Sequence, residues 1–302
     1  MSTSSRRPDF NSYILRAIEH LNANYGGMGY LITTAFTHNL DYSTPGEIKA
    51  APKPPKTMCV AAVSEVIIVA LKMYVDERHD TAVFAKLPAR SWMGGRPTDI
   101  RPYMFVYDNV ESNGTADALA HFGIGEHAPF STLVPGDFIG LNRATGSGHA
   151  VVFLGFLNAS GEILSRYDAS KVVGFKYFSA QTGGLGYRWA FFEGNCPDLG
   201  PGKPRDCRIV RSDNQKFLNT GYMWHPGQWI TESAAKTLKA NLVEKHSLRL
   251  LTKRMGRIPT KIDRERLRPT ELRQLEVEVA GELLKELPLK INPKFNGVTV
   301  DR

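Results

Sequence analysis

Three side chains in this sequence have the types and settings for nucleophilic acyl transfer. Cys59 lies in "PPKTMCVAAVSEVIIVAL", residues 54–71, where two prolines stop the chain just before a long apolar run. A cysteine in the first turn of a helix meets backbone N–H groups that lack intrahelical partners, together with the positive end of the helix dipole. Both favour thiolate, the reactive form. His149 stands at the start of "GHAVVFLGF", directly after "TGSG", where an imidazole can point across a cleft and act as the base. A cysteine nucleophile needs such a base within about 2.6–3.2 Å, itself oriented by a third polar group. Asp168, in "SRYDAS", follows the next hairpin strand and is the choice for that group. The plainer roles are a core cysteine, a turn histidine and an Asx-turn aspartate.

The elements that must position these residues are legible in the periodicity. Residues 1–10 read as a leader, and "NSYILRAIEHLNANY" carries Ile14, Leu15, Ile18 and Leu21 at helical spacing. "PGEIKAAPKPPKT" reads as a loop ended by prolines. Met58 to Asp76 reads as one long helix, apolar almost all round and so buried at the centre of a domain. From Phe130 on, "STLVPGDFIGLNR", "HAVVFLGFLNASGEILSRYDAS", "KVVGFKYFSAQT" and "GYRWAFFEG" are short apolar or alternating runs between turn signals, the pattern of an antiparallel sheet. The expected fold is α+β, the Cys59 helix packed on that sheet. "WITESAAKTLKANLVEKHSLRLLTKRMGRIP" and "RPTELRQLEVEVAGELLKELP" read as charged helices, packed back on the sheet domain or forming a small module.

A cysteine at a helix start, then "VPGDFIGLNR", then "GSGHAVVFLGF" resembles the NlpC/P60 and CHAP-like cell-wall amidases and endopeptidases of the papain-like superfamily. The resemblance spans residues 50–195 and implies Cys59 as nucleophile and His149 as base. It implies a third residue on the following strand, Asp168 by choice and Gln181 of "YFSAQT" as substitute. The sequence departs from the family in its 90-residue cysteine-to-histidine spacing and in Val60, which stands where an aromatic residue usually follows the nucleophile. The implied organisation is a hydrolase domain over residues 1–230 and a helical extension over 231–302. The implied substrate is a peptidoglycan stem peptide. Trp92, Tyr103 and Tyr107 are the expected groove-lining aromatics, beside Gln181.

The opening "MSTSSRRPDFNSYIL" lacks the apolar segment of a secretory signal, and no wall-binding repeat appears. These features are similar to amidase effectors of type VI secretion, which act in a target periplasm and imply a cognate immunity protein as a further partner. The alternatives are a superfamily member acting on protein or lipid acyl groups, a cytoplasmic enzyme, and a non-catalytic binding or adaptor protein.

Composition narrows the remaining classes. A net charge of +8, from 38 basic and 30 acidic residues, favours an anionic partner. No basic tract with interleaved aromatics supports nucleic acid, and the longest apolar run contains Ser64 and Glu65, so no membrane span is expected. Cys196 and Cys207 close a Pro/Gly-rich loop and are free thiols or, under oxidising conditions, a pair. His121, Glu126 and His127 suggest metal ligands, but no further ligand has suitable spacing, so no metal or other cofactor is expected. His225, Glu193 and Asp198 read as loop and strand-end residues near the cleft.

Overall fold

Ile14, Ile18 and Leu21 form the buried stripe of α1 (Asn11–Tyr25), together with Tyr13 and Ala17. The computed structural model describes residues 10–32, 36–50 and 52–286. β1 (Leu40–Tyr42) pairs antiparallel with β2 (Thr44–Ile48), so "PGEI" is a strand rather than the expected loop. Tyr42 and Ile48 are fully buried, and this burial outweighs the poor strand propensity of Pro45 and Gly46.

α2 (Cys59–Arg78) buries every residue from Cys59 to Leu71. Each large aliphatic side chain here contributes about 1.5–3 kcal/mol by leaving water. The two polar residues of this buried stretch are satisfied inside the core. Ser64 Oγ donates to Val60 O at 2.9 Å, and Glu65 accepts from Thr37 Oγ1 at 2.6 Å and lies 3.0 Å from His38 Nδ1. The helix ends at His79, whose left-handed backbone lets its N–H reach Val75 O at 2.8 Å. Four short helices follow: α3 (Ala82–Lys86), α4 (Ala89–Met93), α5 (Ile100–Met104) and α6 (Thr115–His121).

The sheet is built from β3 (Gly125–His127), β4 (Phe138–Asn142), β5 (Gly148–Leu157), β6 (Ile163–Leu164), β7 (Gly174–Gln181), β8 (Gly184–Phe192), β9 (Arg205–Ile209) and β10 (Leu218–Met223). Its order is β3-β10-β4-β5-β7-β8-β9, with β6 on β5, and every pair is antiparallel except β8 with β9. The α+β architecture and the helix-on-sheet arrangement are those expected from the periodicity.

Strand alternation divides the core in two. Ala150, Val152, Phe178 and Ala180 face α2 in one cluster; Val151, Phe153, Phe175, Tyr177 and Ala190 form a second on the other face. The second face is enclosed because the sheet curls. Ala144 N–H reaches Arg208 O at 2.8 Å and Val210 N–H reaches Asn142 O at 3.1 Å, so the end of β9 returns to the end of β4. Cys196 and Cys207 form a disulfide that ties the preceding loop to β9.

α7 (Thr231–Met255), α8 (Lys261–Glu265) and α9 (Pro269–Leu283) complete the described chain. Leu238 and Leu242 of α7 and Val279 and Leu283 of α9 join the cluster that contains α2, and Lys245 pairs with Glu111 at 2.8 Å. These helices therefore pack back on the rest of the chain. Among the described residues no helix is long and apolar enough to cross a membrane.

Candidate active site

Cys59 is the first residue of α2, and its side chain is wholly buried. The nearby amides of Ala150, Val60 and Cys59 itself favour the charged form of the sulfur. Ala150 stands at a break in the strand ladder. Phe153 N–H donates to Asp137 O at 2.7 Å and Phe153 O accepts from Gly136, so the odd residues of this part of β5 bond toward β4 and the even ones toward β7. The β5–β7 register begins only at Val152↔Phe178. At Ala150, two residues earlier, the carbonyl takes Ser179 Oγ at 2.6 Å, which leaves an opening in the ladder between β5 and β7.

The opening is covered by the segment after α1. Gly27 N–H bonds Leu185 O at 3.0 Å, Gly29 N–H bonds Gly183 O at 3.1 Å, and Leu31 N–H bonds Thr57 O at 3.0 Å. Tyr30 of this segment is a neighbour of Cys59. Backbones are in close contact here: a Cβ on Gly184 would fall 2.7 Å from Gly29 N and 2.9 Å from Met28 N.

Burial reverses one sequence expectation. Desolvation pushes the Cys59 thiol up, against the opposing pull of the Ala150 N–H, the Arg143 charge and the helix-start amides. A helix start alone would lower it; a helix start sealed from water does not. Burial and the neighbouring Cys59 also push Tyr30 up.

His149 follows the alternation of β5 onto the other face. Its ring is 4 % exposed and lies edge-on to Tyr177, with centroids 5.9 Å apart. Its Nε2 is buried and has no hydrogen-bond partner, so no bond from that nitrogen reaches Cys59. Burial, then the charges of Arg143 and Arg188, hold the imidazole well below its ordinary range and hence neutral. Cys59 and His149 therefore flank the same stretch of β5 from opposite faces.

Asp168 lies elsewhere. It is part of an exposed turn, where Oδ1 accepts from Ser170 N at 3.0 Å and from Ser170 Oγ at 2.6 Å, and where Lys171 pairs at 3.5 Å. Val172 N–H bonds Asp168 O and Val173 N–H bonds Leu157 O, which places the turn at the far end of β5. Eight residues of strand, roughly 26 Å, separate that end from His149. Gln181 is nearer, accepting from Tyr177 OH at 3.1 Å, one ring removed from His149.

The three expected groove aromatics are core residues. Trp92, Tyr103 and Tyr107 are at most 2 % exposed. Trp92 packs edge-on to Tyr42, and Tyr103 packs on His121 and Phe122. Their apolar area outweighs any benefit of keeping them at the surface.

The other titratable groups have separate partners. His121 Nε2 lies 3.0 Å from Glu111 O, His127 Nε2 lies 2.6 Å from Asp117 Oδ1, and Glu126 accepts from Tyr222 OH. They do not converge, and among the described residues no three His, Cys, Asp or Glu side chains group as metal ligands. His225 accepts the Gly227 N–H at 3.3 Å, and Asp198 pairs with Arg205 at 3.4 Å.

Several site residues had no role in the sequence reading. Arg143 pairs with Asp206 inside the chain, Tyr177 packs on His149, and the buried charges of Arg143 and Arg188 act on that imidazole. The available signals were Arg143 six residues before His149 and the glycine-rich "YGGMGY". A groove of about 700 Å³ begins at Leu31, next to Tyr30, with Ile48, Pro52 and Met93 on its walls and Lys49, Lys53 and Arg101 supplying positive charge. Compared with known proteins, the chain matches no family model, no curated protein and no solved structure.

Proposed function

We propose that the chain is a cysteine-dependent amide hydrolase of papain-like type acting on peptidoglycan stem peptides. The observation that carries this reading is the placing of Cys59 at the first residue of the central helix, which packs on β5, the strand that carries His149 near its start. Cys59 would attack the amide carbonyl, with its own N–H as an oxyanion donor. The thiol proton passes to His149 as the sulfur–carbon bond forms, the amine leaves with that proton as the carbon–nitrogen bond breaks, and water then hydrolyses the thioester with His149 as base, freeing the acid and the thiol. Turnover on this route requires the segment around Tyr30 to lift and His149 to turn toward the opening between β5 and β7.

The groove, with Lys49, Lys53 and Arg101 against the one carboxylate of Glu47, keeps a positive surplus that suits a peptide bearing carboxylates, as stem peptides do. The Cys196–Cys207 disulfide suits an oxidising compartment such as a periplasm, where an effector of type VI secretion would act and from which an immunity protein would protect its producer. The buried, protonated thiol and the unbonded His149 Nε2 favour the second reading, a binding protein in which Cys59 is core.

Iodoacetamide treatment of the native chain at neutral pH separates the two. The hydrolase reading expects labelling at Cys59, slower labelling in His149→Ala, and cleavage of a peptidoglycan peptide that Cys59→Ala abolishes. A native thiol that stays unlabelled, with no amide cleaved, would establish the binding reading.

A further inference from the structure

Two glycine turns lie at the same end of the curled sheet. "RATGSG", residues 143–148, joins β4 to β5, and "QTGGLG", residues 181–186, holds the turn from β7 to β8. β5 and β7 run antiparallel, so the start of one meets the end of the other. The register sets Phe153 opposite Tyr177 and Tyr177 opposite Arg188, which puts all three on one face. His149, four residues before Phe153, shares that face, and its ring centroid is 5.9 Å from that of Tyr177.

Hydrogen bonds draw the long side chains toward the two turns. Tyr177 OH donates to Gln181 Oε1 at 3.1 Å, and Arg188 Nη2 donates to Thr182 O at 3.2 Å and to Gly184 O at 2.9 Å. Across the curl, Arg143 Nη1 donates to Ser147 Oγ at 3.1 Å and Nε donates to Asp206. Thr145, Gly146, Thr182 and Gly183 at the turn tips are exposed, and these polar side chains lie directly behind them.

The charges at this end do not balance. Arg143, Arg188 and Asp206 are 5, 8 and 8 % exposed, so two guanidiniums are buried with one carboxylate. That carboxylate is taken by Arg143 and also lies 3.6 Å from Arg208. Arg188 bonds only neutral carbonyl oxygens, and its Nε is buried without a hydrogen-bond partner. His149 Nε2 is likewise buried and unbonded. A buried cation without a counter-charge and a buried donor without an acceptor are both costly, and one bound anion offsets both costs.

We propose that this end of the sheet, between the β4–β5 and β7–β8 turns, binds a small oxyanion, a phosphate or carboxylate group, with Arg188 Nε and His149 Nε2 as its donors. The oxyanion supplies the negative charge that Arg188 lacks, and His149 donates to it as the Nε2–H tautomer. The site lies on the face of β5 opposite Cys59 and needs no thiol chemistry, so it is independent of the hydrolase reading.

The test is the thermal unfolding midpoint of the full chain in an anion-poor buffer, with sodium phosphate, sodium acetate or sodium chloride added at matched ionic strength. Phosphate or acetate is expected to raise the midpoint by several degrees and to saturate, while chloride does not. The one that acts at lower concentration identifies the preferred group. Isothermal titration of that anion is expected to give one site per chain, weakened about tenfold or more in Arg188→Gln and several-fold in His149→Leu. Arg211→Gln, which removes an exposed arginine elsewhere, is expected to bind as wild type does. Equal midpoints in the three salts, a rise that never saturates, or a loss as large in Arg211→Gln as in Arg188→Gln overturns the proposal. So does full affinity in Arg188→Gln. Where circular dichroism shows Arg188→Gln to be unfolded, His149→Leu decides, and undiminished binding in it overturns the proposal.

Discussion

Ser179 Oγ donates to Ala150 O at 2.6 Å, just before the β5–β7 register begins at Val152↔Phe178. The Cys59 thiol, at the start of the helix packed on this sheet, is buried without access to water. Its reactivity depends on what can move away from it. The segment after α1 is held by three backbone hydrogen bonds. At about 1 kcal/mol net for each such bond, lifting this segment is far less costly than unfolding the core.

Gly184→Ala tests that cover. The residue has φ of +102°, and an added Cβ would press on the backbone of Met28 and Gly29. The substitution is expected to displace the segment and raise the alkylation rate of Cys59 several-fold, with a loss of about 1–2 kcal/mol from the left-handed backbone. An unchanged rate would show that the segment does not control access.

The buried His149 makes stability depend on pH with a definite sign. Its folded-state imidazole is depressed by burial, Arg143 and Arg188, whereas in the unfolded chain it titrates near the ordinary value of about 6.5. Below that pH the unfolded chain binds the extra proton. The stabilisation is therefore complete above about pH 6.5 and is lost as pH falls, by up to about 1.4 kcal/mol per unit. Denaturant unfolding of His149→Gln is expected to give a flatter profile than wild type between about pH 6.5 and 4.5. Parallel profiles would show that the ring is not held neutral.

The Cys196–Cys207 disulfide supports the strand that carries Asp206. Closing a short loop restricts the unfolded chain by about 2–3 kcal/mol. The double variant Cys196→Ser, Cys207→Ser is expected to unfold at correspondingly lower denaturant. An unchanged midpoint would show that the disulfide does not stabilise the fold.

Much of the fold is legible in residue order because it depends on local pattern. The all-round apolar run after two prolines specifies a buried helix that begins at Cys59, and the alternating runs from Phe138 to Phe192 specify strands. "PGEI" is the failure of the same logic, since only burial of Tyr42 and Ile48 makes it a strand. Trp92, Tyr103 and Tyr107 fail likewise: an aromatic ring has the same letter in a groove and in a core.

For the candidate site, the sequence by itself determined the chemical types and the elements that carry them: a cysteine at a helix start and a histidine at a strand start. Tertiary structure alone decided their relation. Strand alternation sends His149 to the face opposite Ala150, and the hairpin path leaves Asp168 at the far end of β5. It also brings Asp206, 63 residues along the chain, onto Arg143. A side chain's face follows from strand register, and register is set by long-range pairing that no local spacing contains.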